Sequence, residues 1–90
     1  MSIDLYIGPV IARDGRFGYD TFSQHDSVRS SFRYQRVEEA RYDRRSMIAE
    51  SRRAAHLRVH VCETLAEFER FREAGRSTAE ASDIAKLRES

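Results

Sequence analysis

Val10-Ile11-Ala12-Arg13-Asp14-Gly15-Arg16-Phe17-Gly18-Tyr19-Asp20-Thr21-Phe22 is the stretch on which the fold turns. Asp14-Gly15 supplies the positive φ that a two-residue hairpin turn wants, and apolar and aromatic residues flank it on both sides, so the segment reads as a β-hairpin. Gly18, inside the returning strand, weakens it and marks a bulge or a close backbone approach. Upstream, Ile3, Leu5 and Ile7 alternate with Ser2, Asp4 and Tyr6, the period of a half-buried strand, until Gly8-Pro9 interrupts them.

Downstream, residues 23–31 are rich in turn and capping types and read as a loop leading to a helix start. Phe32 and Tyr34 fit either the first turns of that helix or a short strand before it. From 37 to 55, Val37, Ala40, Arg44, Met47, Ile48, Ser51 and Ala55 share one helical face and Gly and Pro are absent, which predicts the longest helix. Leu57, Val59 and Val61 alternate with His56, Arg58, His60 and Cys62, a third strand able to join the hairpin. Thr64-Leu65-Ala66-Glu67 is a capping box that opens a short helix over 65–74, with Leu65, Phe68 and Phe71 on one face and Gly75 as its stop. Ser77-Thr78-Ala79-Glu80 repeats the box and predicts a last short helix to the C-terminus. The expected fold is α+β, a single domain over 1–90: an N-terminal antiparallel hairpin or three-stranded sheet packed with one long and two short helices.

Composition narrows the function. Apolar residues make up 40% of the 90, with five Phe and four Tyr, enough for one modest core but not two. The lone Cys62 forms no internal disulfide, the N-terminal residues lack signal-peptide character, and no apolar run approaches the ~20 residues of a membrane span, so a cytoplasmic chain without a membrane partner is expected. The net charge of +1 hides a segregation. Residues 1–28 and 59–90 each sum to −2, whereas 29–58 holds nine Arg against four acids and sums to +5. Such segregation speaks to partners.

His56 and His60 would lie on one strand face but about 13 Å apart, too far to share an ion directly, and no second ligand pair completes a tetrahedron with Cys62, so no metal and no cofactor is expected. Ser23, His25 and Asp26 carry the letters of a nucleophilic triad but crowd into one loop without a nucleophile elbow, and helix capping by Asp26 or Ser27 is the better reading. Gly15 and Gly18 lack the Lys and Ser/Thr of a phosphate loop. No catalytic residue, and no small-molecule substrate, is expected. Binding falls instead to the Arg-rich helix: Arg36, Arg41, Arg44, Arg45, Arg52 and Arg53. Arg41, Arg45 and Arg52 share a face with Glu38, while Arg44 falls within the apolar stripe, where a cation snorkels, pairs, or points at a partner. Arg36–Glu39, Glu38–Arg41 and Glu50–Arg53 have i,i+3 spacing, no acid stands four residues from an Arg, and Arg41–Arg45 is a like-charge i,i+4 pair, so neutralisation within the helix is only partial.

The tail Arg76-Ser77-Thr78-Ala79-Glu80-Ala81-Ser82-Asp83-Ile84-Ala85-Lys86-Leu87-Arg88-Glu89-Ser90 resembles the C-terminal helix of an anti-CRISPR family that blocks type I-F surveillance complexes. The match runs through Ala79 to Asp83-Ile84, with Leu87, Glu89 and Ser90, and the tail is about a sixth of the chain. The resemblance implies a small phage-encoded inhibitor without enzymatic activity, acting in the host cell on a CRISPR surveillance complex so as to block target DNA recognition. That family is acidic and imitates DNA, whereas Ala85 and Arg88 stand here at acidic or apolar positions of its tail and the centre of this chain is basic, so mimicry is not implied. The Arg surface would instead meet guide RNA or an acidic protein face. The alternative is a small Arg-rich nucleic-acid-binding accessory protein.

Overall fold

The computed structural model describes residues 2–23 and 28–74. It shows an α+β domain in which a five-stranded sheet is covered by one long and one short helix. Strand β1 (Ile3–Ile7) stops where Gly8-Pro9 breaks the alternation, and β2 (Ile11–Arg13) resumes it. Asp14 and Gly15 then turn the chain with φ of 52° and 77°, both left-handed, as the Asp-Gly pair predicts. Strand β3 (Arg16–Ser23) returns along β2 and β1 in turn, pairing Ala12 with Phe17 and Tyr6 with Phe22. Gly18 sits at a register shift against the next strand, and a Cβ on it would lie 1.8 Å from the Ser31 carbonyl oxygen, so the close approach read from the sequence is real.

Strand β4 (Arg29–Tyr34) corrects the expected loop over 23–31: residues 29–31 are sheet, and Phe32 and Tyr34 are strand rather than helix. Ser30 and Ser31 carry no apolar alternation, and what makes them a strand is the free outer edge of β3, a non-local partner. Residues 24–27, including His25 and Asp26, lie outside the described residues. Helix α1 (Val37–Arg53) spans 17 residues and ends just short of the predicted 55, with Ala54 at its C-cap. Strand β5 (Leu57–Val61) joins the sheet as expected, but parallel to β1, in register from Ile3 opposite Leu57 to Ile7 opposite Val61. The sheet therefore runs β4, β3, β1 with β2 in line, then β5, and α1 crosses from one edge strand to the other. A second helix, α2 (residues 65–74), follows the predicted capping box: the Glu67 N–H donates to Thr64 Oγ1 at 3.1 Å, and the Glu67 carboxylate accepts the Glu63 N–H at 3.3 Å. The predicted Gly75 stop and the last helix lie outside the described residues.

The two sheet faces are buried differently. Ile7 and Tyr19 are buried beneath α1, which presents the fully buried Ala40 to them. On the opposite face Gly8 leaves room for the Phe68 ring of α2, whose nearest atoms would meet a Gly8 Cβ at 3.3 Å, and Phe68 and Cys62 are sealed there. Burying a side chain such as Ile7 or Phe68 stabilises by about 2–3 kcal/mol, so these contacts fix both helices to the sheet. Beside Phe68, Tyr6 stacks on His60 at 4.6 Å and on Phe71 at 4.8 Å, with Phe22 at 5.9 Å.

Candidate functional site: the arginine flank of the long helix

α1 leans on β3 and β5, and its two flanks differ in charge. At 3.6 residues per turn, Arg41, Arg45 and Arg52 line one flank with Ile48, while Glu39, Asp43 and Glu50 line the other. Two contacts orient these flanks. Arg44 reaches the β1/β5 side of the sheet, where Nε donates to the Gly8 carbonyl at 2.7 Å and Nη2 to the Cys62 carbonyl at 2.9 Å. Asp43 reaches the β3/β4 side, accepting a 2.5 Å hydrogen bond from the Tyr19 hydroxyl. The arginine flank thus lies on the β5 side of the helix and the acidic flank on the β4 side.

Of the six arginines that the sequence singles out, five are exposed: Arg36, Arg41, Arg45, Arg52 and Arg53. None of the five makes a side-chain hydrogen bond or ion pair with a described residue, so the i,i+3 pairs allowed by spacing are not formed. Arg53 and Arg52 fall in the last turn and Glu38 and Glu39 in the first, which complements the helix dipole and accounts structurally for part of this charge. Arg36 occupies the N-cap without a capping side-chain bond. Arg44 stands apart, half-buried, its guanidinium spent on two backbone carbonyls at the ends of neighbouring strands. The structure places it as a clasp, and brings only Arg41, Arg45 and Arg52 together as a continuous exposed row.

Sequence reasoning missed Asp43. It joins helix to sheet: burial first, and then the hydrogen bond to Asp43, push the Tyr19 phenol far above its ordinary value, and a hydrogen bond to the same carboxylate raises Tyr34. Its one signal was a carboxylate next to the apolar stripe. An open depression beside it, about 480 Å³ and lined by Tyr34, Glu38, Glu39, Tyr42 and Asp43, therefore contains a carboxylate already committed to the fold. On the far sheet face Asp4 sits 2.9 Å from His60 Nε2 and 3.5 Å from Arg58, and the bond to His60 holds its carboxyl below the ordinary value. Asp20 accepts from Ser30 at 2.7 Å and from Arg13 at 3.1 Å, and the Arg13 guanidinium lies 4.2 Å over the Phe32 ring.

The ligand types read from the sequence do not converge. Cys62 is buried against α2 rather than on the solvent side of its strand, and burial pushes its thiol up. His60 is held by Asp4, and His56 is exposed. Among the described residues no three His, Cys, Asp or Glu side chains are grouped to hold a metal ion, and no helix is long and apolar enough to cross a membrane. No protein-family model, curated protein or solved structure matches the chain.

Proposed function

We propose that the chain is a docking domain rather than an enzyme, and that it binds a macromolecular complex through the arginine flank of α1. The observation that carries this reading is the row Arg41, Arg45 and Arg52: exposed, unpaired with described residues, and set across the helix from Glu39, Asp43 and Glu50, with Glu38 the one acid of α1 on its face. Like charges at i,i+4 cost the isolated helix a few tenths of a kcal/mol, so the row brings α1 no stability of its own. Planar guanidinium groups so placed suit carboxylate or phosphate. The resemblance of residues 76–90 supports a more specific target, a type I-F CRISPR surveillance complex whose recognition of DNA the chain would block as an anti-CRISPR inhibitor.

Co-purification from cells that contain the complex tests both levels. The chain is expected to be retained by the complex and to restore phage infection, and Arg45→Glu with Arg52→Glu to abolish both while leaving the fold intact. Retention of the double variant would remove the arginine flank from the site. Failure of the unaltered chain to bind the complex would remove the CRISPR target. Steeply salt-dependent binding to naked nucleic acid with little sequence preference would favour the nucleic-acid accessory reading.

A further inference from the structure

Strand β5 ends the sheet, paired on one side with β1 and on the other with no described strand. Its ladder is fixed at both ends, by the Ile3 N–H on the His56 carbonyl at 2.7 Å and by the Cys62 N–H on the Ile7 carbonyl at 2.8 Å. In a parallel ladder alternate residues bond to one neighbour, so 56, 58, 60 and 62 face β1 and the backbones of Leu57, Val59 and Val61 face outward. The Leu57 N–H is taken by Ala54 at 3.1 Å. That leaves the N–H groups of Val59 and Val61, and the carbonyls of Leu57, Val59 and Val61, in a row on a regular, unbulged edge. The opposite edge differs, since β4 carries the register shift at Gly18 and lies on the side of the acidic flank of α1.

On the β5 side of the helix runs the arginine row, its exposed side chains pointing outward. From Arg41 to Arg52 the helix rises about 16 Å, and the five residues of β5 extend about as far. Arg41 and Arg45 are about 6 Å apart along the axis, close to the spacing of alternate side chains on a strand. On the other face of β5 the Arg58 side chain is 66% exposed. Open edges invite pairing, and charge decides with what. A second copy adding antiparallel about a two-fold axis normal to the sheet would bring its own α1 to the same face and set arginine row against arginine row. A nucleic acid's phosphates would take the guanidinium groups and even the amides, but would offer no regular row of N–H donors to the outward carbonyls of Leu57, Val59 and Val61.

We propose that the open edge of β5 takes an extended acidic segment of a partner protein by strand addition, with Arg41, Arg45 and Arg52 pairing the carboxylates on its α1 side. This rests on the docking reading of the arginine flank and names the partner chemistry for it. Backbone bonds to Val59 and Val61 supply the register, and the arginines select an acidic strand over a neutral or basic one.

The test uses the isotope-labelled full chain titrated with three probes: a short capped peptide of alternating Glu and Val, its Lys-Val counterpart, and single-stranded oligothymidylate. The Glu-Val peptide is expected to shift the Val59 and Val61 amides and slow their hydrogen exchange about tenfold or more, an effect absent with Lys-Val and lost in Arg41→Glu with Arg45→Glu. Shifts at the arginine side chains without protection of Val59 and Val61 would overturn strand addition and leave the arginine flank standing. Binding of oligothymidylate alone would overturn the protein partner. Silence at both sets of signals would overturn strand addition as well, while the docking reading answers separately to co-purification.

Discussion

Arg44 Nη2 donates to the carbonyl oxygen of Cys62 at 2.9 Å while its Nε donates to Gly8, so one helical side chain binds the ends of β1 and β5 together. Gly8 and Cys62 lie 36 and 18 residues from Arg44, each just past the end of one of the two strands that pair parallel. The bonds are charge-assisted and half-buried.

Arg44→Met preserves the apolar stem and removes both donors. It is expected to destabilise by about 2–3 kcal/mol, because two partly buried carbonyls lose charged partners. Arg44→Lys should fall between, as a point donor cannot span both oxygens. Chemical denaturation measures this, and a midpoint unchanged in Arg44→Met would show that the clasp contributes nothing.

Gly18→Ala should be among the most damaging small substitutions in the chain. The added methyl carbon would lie 1.8 Å from the Ser31 carbonyl oxygen, backbone that no rotamer change can move aside. The β3–β4 pairing must open, and a loss above about 2 kcal/mol is expected, read as a lower melting temperature with the largest amide shifts in β4.

Stability should decline in alkali, with Tyr19 as a principal cause. Its phenol is held neutral by burial and by Asp43, so the folded state keeps its proton more tightly than the unfolded chain. The contribution is whole below the unfolded tyrosine value near pH 10 and is lost as pH rises beyond it. Tyr19→Phe is expected to cost about 1 kcal/mol at neutral pH and to flatten the alkaline limb of a denaturation-midpoint series. An unchanged alkaline slope would contradict the assignment.

Acid acts through Asp4, in the opposite sense. The hydrogen bond to His60 favours its ionised form in the folded chain and outweighs the upward push of burial, and Arg58 adds a weaker pull in the same direction as His60. The stabilisation is present above about pH 4 and lost as pH falls through the depressed folded value. Asp4→Asn should therefore flatten the acid limb, and a carboxyl resonance titrating at or above the unfolded value would refute the lowered pKa.

What the sequence disclosed follows the range of the interactions involved. The Asp14-Gly15 turn, helix α1 and the Thr64–Glu67 box are set within a few residues, and each stands where spacing puts it. Spacing alone predicts a loop where β4 begins, because Ser30 and Ser31 become strand only by lying beside Asp20 and Tyr19. Periodicity showed that 57–61 is a strand but not that its neighbour would be β1, or that the pairing would be parallel. Arg44 is legible as an anomaly on an apolar stripe, while the two carbonyls that explain it follow strands distant in the sequence. Arg41, Arg45 and Arg52 could be grouped by helical spacing alone, but which edge of the sheet they lie toward required Arg44 and Asp43 to be placed.

The parallel pairing of β1 with β5 also bears on how the chain comes to be made. Strand β1, made before the other described strands, occupies an inner place in the sheet, and its side toward β5 stays bare until Leu57–Val61 have been synthesised. Until then a nascent chain can form the antiparallel part alone, with β1 exposed as a sticky margin, and closure waits on a contact between segments more than fifty residues apart. Translation stalled or cut short before Leu57 should thus yield an insoluble product, and Arg44, emerging just ahead of the strand it will clasp, is in place when β5 arrives.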